Sequence, residues 1–168
     1  MLSIARWVLR ALLVLNILVG LLLLGLLGWS FVEEQRFAAA AVAQFPGVNV
    51  ERLLTGTRFI LAIVAPVMIL AHLLFRALLQ MLDTVEAGDP FVPANADRLR
   101  LVAWYLLGIQ LCDVAFGVAG AIMDAAAGER ISGWSPGLTG WIAVLLVFVL
   151  ARVFREGSRL RDDAELTI

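Results

Sequence analysis

Apolar residues fall in four long runs along the chain, and charged residues fall almost wholly between them. Ala11 to Val32 holds no charge, and Phe59 to Phe75 is uncharged between Arg58 and Arg76. Leu101 to Met123 is broken only by Asp113. Ile131 to Ala151 is uncharged but contains a turn-like Gly133-Trp134-Ser135-Pro136-Gly137 stretch. A membrane-crossing helix needs about 20 predominantly apolar residues, because a rise of about 1.5 Å per residue has to span about 30 Å of hydrocarbon. The pattern therefore predicts an all-α integral membrane four-helix bundle, one domain over residues 1–168. Its spans are expected at about 8–32, 57–79, 99–123 and 138–156, the last helix starting near Leu138. Trp7, Trp29, Phe31, Trp104, Tyr105, Trp134 and Trp141 lie near the span ends, as interfacial aromatic belts do.

Composition agrees. Of 168 residues, 62% are hydrophobic and 16% charged, with a mean hydropathy of +0.94. A soluble domain of this size cannot bury that much apolar surface. Disorder, collagen, a disulfide scaffold and a basic nucleic-acid binder are excluded too, so no direct nucleic-acid contact is expected. Every one of the 13 basic residues is arginine, and nine of them flank the termini and the loop between the second and third spans. By the positive-inside rule both termini and that loop are cytoplasmic. The first span exceeds the apolar length of a typical secretory signal, and the small residues Ala38 to Ala41 lie beyond a charged Glu33-Glu34-Gln35-Arg36 patch, so a retained anchor is expected.

The external segment Glu33 to Gly56 contains a helix-compatible Phe37 to Phe45, stopped by Pro46-Gly47. In the cytoplasmic loop, Gly88 suits the C′ position that ends the second span's helix, Asp89-Pro90 a turn, and Pro93 the first turn of the next helix. Phe91, between two prolines, is expected to plug against the inner end of the bundle. In the tail, Arg152, Arg155 and Arg159 share one helical face, and Val153, Phe154, Gly157 and Leu160 make an apolar one. Juxtamembrane arginines attract anionic lipid, but Glu156, Asp162, Asp163 and Glu165 dilute the effect.

Two of these segments carry a resemblance. Gly88-Asp89-Pro90-Phe91, followed by Asn95, Leu99 and Arg100, resembles the G-x-P-F…N…L-R loop of domain-of-unknown-function family 2975. Val153-Phe154-Arg155-Glu156-Gly157, Leu160 and the closing Leu166-Thr167-Ile168 are similar to that family's C-terminal signature. The resemblance covers the chain in span count and spacing, though its specific residues fall in the loop and tail alone. It implies a small four-helix protein of the bacterial inner membrane with no established activity. Its members are often encoded beside small helix-turn-helix regulators, which implies a module that sequesters or signals to a transcription factor.

Ionisable groups inside a span are costly and count as functional candidates. Asp113 lies about 21 Å from the inner end of its helix by the helical rise, past the midplane. It is expected either to pair with Arg58, or to be protonated and bonded to a backbone carbonyl, or to serve an ion or proton path. Pro66 lies at similar depth and frees the carbonyl of Ala62. Asn16 and His72, about 12 and 10 Å deep, are expected to hydrogen-bond to one another as glue between helices. A lone histidine does not make a metal site, and Cys112 reads as a small packing residue. Small-residue stripes at Asp113, Gly117, Ala121 and Ala125, and at Gly20, Gly25 and Gly28, either pack the four-helix core or form a homodimer face, a homo-oligomer being one possible partner arrangement.

No Walker loop, H-E-x-x-H, G-x-S-x-G or cysteine-pair zinc pattern is present in the sequence. The expectation is a protein that is not an enzyme and takes no cofactor. The leading reading is a regulatory module whose cytoplasmic face binds a small helix-turn-helix regulator, Leu166-Thr167-Ile168 adding a strand to it. The alternative is a small oligomeric proton or ion pathway, or a transporter subunit, using Asp113 and His72.

Overall fold

The computed structural model describes residues 2–130 and 132–165, with backbone alone for 162, 164 and 165. The described residues form five α-helices and no strand: α1 (Leu2–Val32), α2 (Glu34–Gln44), α3 (Val50–Glu86), α4 (Pro93–Ala127) and α5 (Thr139–Glu165). The expected four helices are thus five, because the alanine-rich segment after the first expected span forms a helix of its own, α2. Three helices are long and apolar enough to cross a membrane: α1, α3 and α4, with mean hydropathies of 2.7, 2.3 and 1.8 over their most apolar stretches.

The fourth expected span departs from this group. The helix starts at Thr139, next to the expected Leu138, but its uncharged run ends at Ala151 before Arg152, Arg155 and Glu156. That run is about 20 Å long by the helical rise, short of the hydrocarbon thickness. The other helices overrun their expected spans at both ends, except at Val32, where α1 ends as expected. Pro66 lies inside α3.

The chain divides into two compact units. One comprises Met1–Asn16, Ile69–Gln110 and Leu138–Ile168. Its core is Leu74 and Ala77 of α3 against Val102 of α4, with Tyr105, Leu106 and Val147 packed around them. The other comprises Ile17–Met68 and Leu111–Gly137. Here Leu53, Leu54 and Leu61 of α3 and Ala119 and Ala126 of α4 are buried. Asn49 caps α3 by accepting from the backbone N–H of Arg52 at 3.0 Å, and its own N–H donates to the Ala126 carbonyl at 3.2 Å.

Candidate interaction site at the α3–α4 loop and α5

The α3–α4 loop is built by local chemistry first. Helix α3 ends in two backbone bonds, Asp89 N–H to the Thr84 carbonyl at 3.0 Å and Gly88 N–H to the Val85 carbonyl at 3.1 Å. This is the Schellman arrangement, and it requires a left-handed residue at Gly88, whose φ is +84°. Pro93 opens α4, where its missing N–H costs nothing. Both placements follow the expected turn chemistry.

Asn95 then locks the loop. It is 1% exposed, and its amide donates to Thr84 Oγ1 at 2.6 Å and to the Pro90 carbonyl at 2.9 Å. Its Oδ1 accepts from Arg98 at 2.8 Å, while the Thr84 hydroxyl donates to the Met81 carbonyl at 2.7 Å. One buried amide therefore ties the end of α3, the turn and the start of α4 together. Such fully satisfied buried networks specify one conformation.

Helix α5 docks on this loop. The Phe91 ring lies 5.2 Å from that of Phe154, tilted by 31°, and a Cβ on Gly157 would sit 3.6 Å from the Phe91 ring edge. Arg155 donates to Asp97 at 3.0 Å, and Arg161 pairs with Asp89. All four charged side chains are more than a third exposed, so each pair contributes little stability and serves mainly to fix register. Ser158, buried, donates back to the Arg155 carbonyl at 3.0 Å. At the far side of the loop, Arg6 of α1 reaches Asp83 at 2.7 Å and Glu86 at 2.6 Å.

The two segments that carry the sequence motifs thus meet. Leu99 is buried, and Arg100 lines an open groove between α4 and α5. Glu156 pairs with Arg159 one turn along. Phe91, expected to plug against the inner end of the bundle, packs on Phe154 of α5 and remains 45% exposed. The apolar face of the tail is divided: Phe154 and Gly157 face Phe91, while Val153 and Leu160 are exposed. Leu166, Thr167 and Ile168 lie outside the described residues. Thr84, Asp97, Ser158 and Arg161 were not singled out by motif, and Asp89 was read only as a turn residue; the opposite charges of Asp97 and Arg155 and of Asp89 and Arg161 were the visible signal.

The polar residues in and beside the apolar runs are placed differently from the expectation. Arg58 donates to Glu34 at 2.8 Å and to the Ser30 carbonyl at 2.7 Å, with its guanidinium 4.2 Å from the centre of the Phe31 ring. Asp113 instead accepts a long bond, 3.3 Å, from the indole N–H of Trp134 in the α4–α5 loop. That loop folds back along α4. A Cβ on Gly117 would lie 2.6 Å from Trp134 ring carbons, so only glycine admits the ring. The carboxylate of Asp124 accepts from both the backbone N–H and the hydroxyl of Ser132, at 2.8 and 2.9 Å. Part of the α4 small-residue stripe is therefore filled by the chain's own loop, while Ala121 and Ala125 are exposed. Asn16 is buried, and His72 is half-buried with no hydrogen-bond partner among the described residues, so the expected bond between them is not formed there. Among the described residues no group of three or more His, Cys, Asp or Glu side chains is placed to hold a metal ion.

A family model described as a protein of unknown function, DUF2975, matches residues 33–168, which leaves α1 outside the matched region. No curated protein and no solved structure matches the chain.

Proposed function

The chain belongs to the DUF2975 family of proteins of unknown function, and from the geometry of the loop and α5 we propose that it is a non-enzymatic regulatory module that binds a small cytoplasmic partner, a helix-turn-helix regulator. The observation that carries this reading is the meeting of Phe91 with Phe154 and Gly157. It gathers both motif segments on one face, with Val153 and Leu160 left exposed beside them. In this reading the protein sits in the bacterial inner membrane with four spans and both termini in the cytoplasm. The arginine distribution supports that orientation. Helix α5 serves as the short fourth span, Arg152 and Arg155 extending their stems to the interface.

The test is co-purification from native membranes of the full chain and of a chain ending at residue 157. A soluble regulator retained by the first and lost from the second is the expected result; no soluble protein retained by the full chain removes the proposal. The competing reading, an oligomeric proton or ion path through Asp113 and His72, predicts flux in proteoliposomes that Asp113→Asn abolishes. It has less support, since Asp113 is occupied by the Trp134 indole.

A further inference from the structure

Between α4 and α5 an open groove of about 390 Å³ is lined by Arg100, Phe148, Ala151, Arg152, Arg155 and Glu156. Its charges are unequal in their commitments. Arg155 is held by Asp97, and Glu156 by Arg159. Arg100 and Arg152 are exposed and make no side-chain hydrogen bond or ion pair with any described residue. Two uncompensated guanidinium groups therefore face one cleft.

The position of the cleft along the helices matters as much as its charge. Arg100 immediately precedes the apolar run of α4 that begins at Leu101, and Arg152 immediately follows the apolar run of α5 that ends at Ala151. The groove thus straddles the level at which both helices change from charged to apolar. Toward the apolar side lies Phe148, with Trp104 edge-on to it at 5.4 Å and 55% exposed, an amphipathic ring of the kind found at headgroup level. A ligand matching this surface carries a phosphate at one end and a hydrocarbon chain at the other.

We propose that this groove binds the phosphate of an anionic phospholipid, with Arg100 and Arg152 as its ligands and the surface around Trp104 and Phe148 receiving the acyl chain. Guanidinium suits the task because its fork of donors matches phosphate oxygens. A zwitterionic headgroup fits less well, since its own cation is repelled by the same two arginines. The proposal rests on the membrane reading and is independent of any soluble partner, none of which enters its test.

The experiment is native mass spectrometry of the full chain in detergent, titrated with phosphatidylglycerol, phosphatidylcholine or inorganic phosphate. Phosphatidylglycerol is expected to be retained at the lowest concentration. Arg100→Gln and Arg152→Gln should each weaken it about fivefold and the double variant about 30-fold, while Arg76→Gln, exposed on α3 outside the groove, leaves it unchanged. If the double variant does not fold, the two single variants decide, with Arg100→Lys and Arg152→Lys as charge-preserving controls. Equal retention of phosphatidylcholine, full retention by the folded glutamine variants, or displacement of the lipid by inorganic phosphate each overturns the proposal.

Discussion

The ring of Phe91 rests against that of Phe154, 5.2 Å centre to centre, and this contact joins the α3–α4 loop to α5. An aromatic pair contributes about 0.5–1.5 kcal/mol beyond the area it buries, more than the exposed ion pairs beside it. Phe91→Ala is expected to lower stability by about 1–2 kcal/mol, the higher figure including lost burial. Hydrogen exchange should quicken in residues 88–97 and 153–161. Exchange unchanged in both segments would show that the aromatic contact does not hold α5 to the loop.

Asn95 should be the most sensitive position in the loop. Replacing it by leucine leaves the Pro90 carbonyl without its donor and removes the bonds to Thr84 and Arg98. A loss of about 2–3 kcal/mol in thermal or denaturant unfolding is expected. Thr84→Val should cost about 1 kcal/mol, and the double variant should cost less than the sum, because the two side chains share a bond.

Gly88→Ala tests the helix end alone. At φ +84° an L side chain costs about 1–2 kcal/mol. The substitution is expected to lower the melting temperature with Phe91 still in place, and Gly88→Asn should recover part of the loss, since asparagine tolerates the left-handed region. An alanine variant as stable as the parent would contradict the Schellman end.

In the other unit, Gly117→Ala places a methyl group where the Trp134 ring lies. The ring has to move, and overpacking of this kind costs about 1–3 kcal/mol. Faster exchange of residues 128–137 is the expected readout. Asp113→Asn retains an acceptor for the indole N–H and should leave that exchange nearly unchanged, whereas Asp113→Leu should raise it. If leucine behaves like asparagine, the Trp134 bond does not hold the loop.

Much of the chain's local architecture was visible in its residues. The apolar runs placed α1, α3 and α4, and Pro46-Gly47 correctly stopped α2. Gly88 and Pro93 marked the two ends of the loop because each acts through its own backbone dihedral or missing N–H. Asn95 was visible only as part of a motif; its three bonds reach the loop carbonyl of Pro90 and side chains on both helices. The shortness of the uncharged run in α5 was legible too, from the distance between the Gly133–Gly137 turn and Arg152.

Partner choice was not legible. Depth made Arg58 one of the alternatives for Asp113, but it turns to Glu34, Ser30 and Phe31. The contact of the Trp134 ring with Gly117 had no counterpart in the sequence pattern. The sequence by itself determined where helices run and end, because hydrophobic periodicity, glycine dihedrals and proline's missing donor act within a few residues. The tertiary structure alone decided which side chains meet: Phe91 with Phe154, Arg155 with Asp97, Trp134 with Asp113. Depth along a helix follows from counting residues, whereas facing a partner depends on helix rotation and on the path of each loop, both settled by many contacts at once.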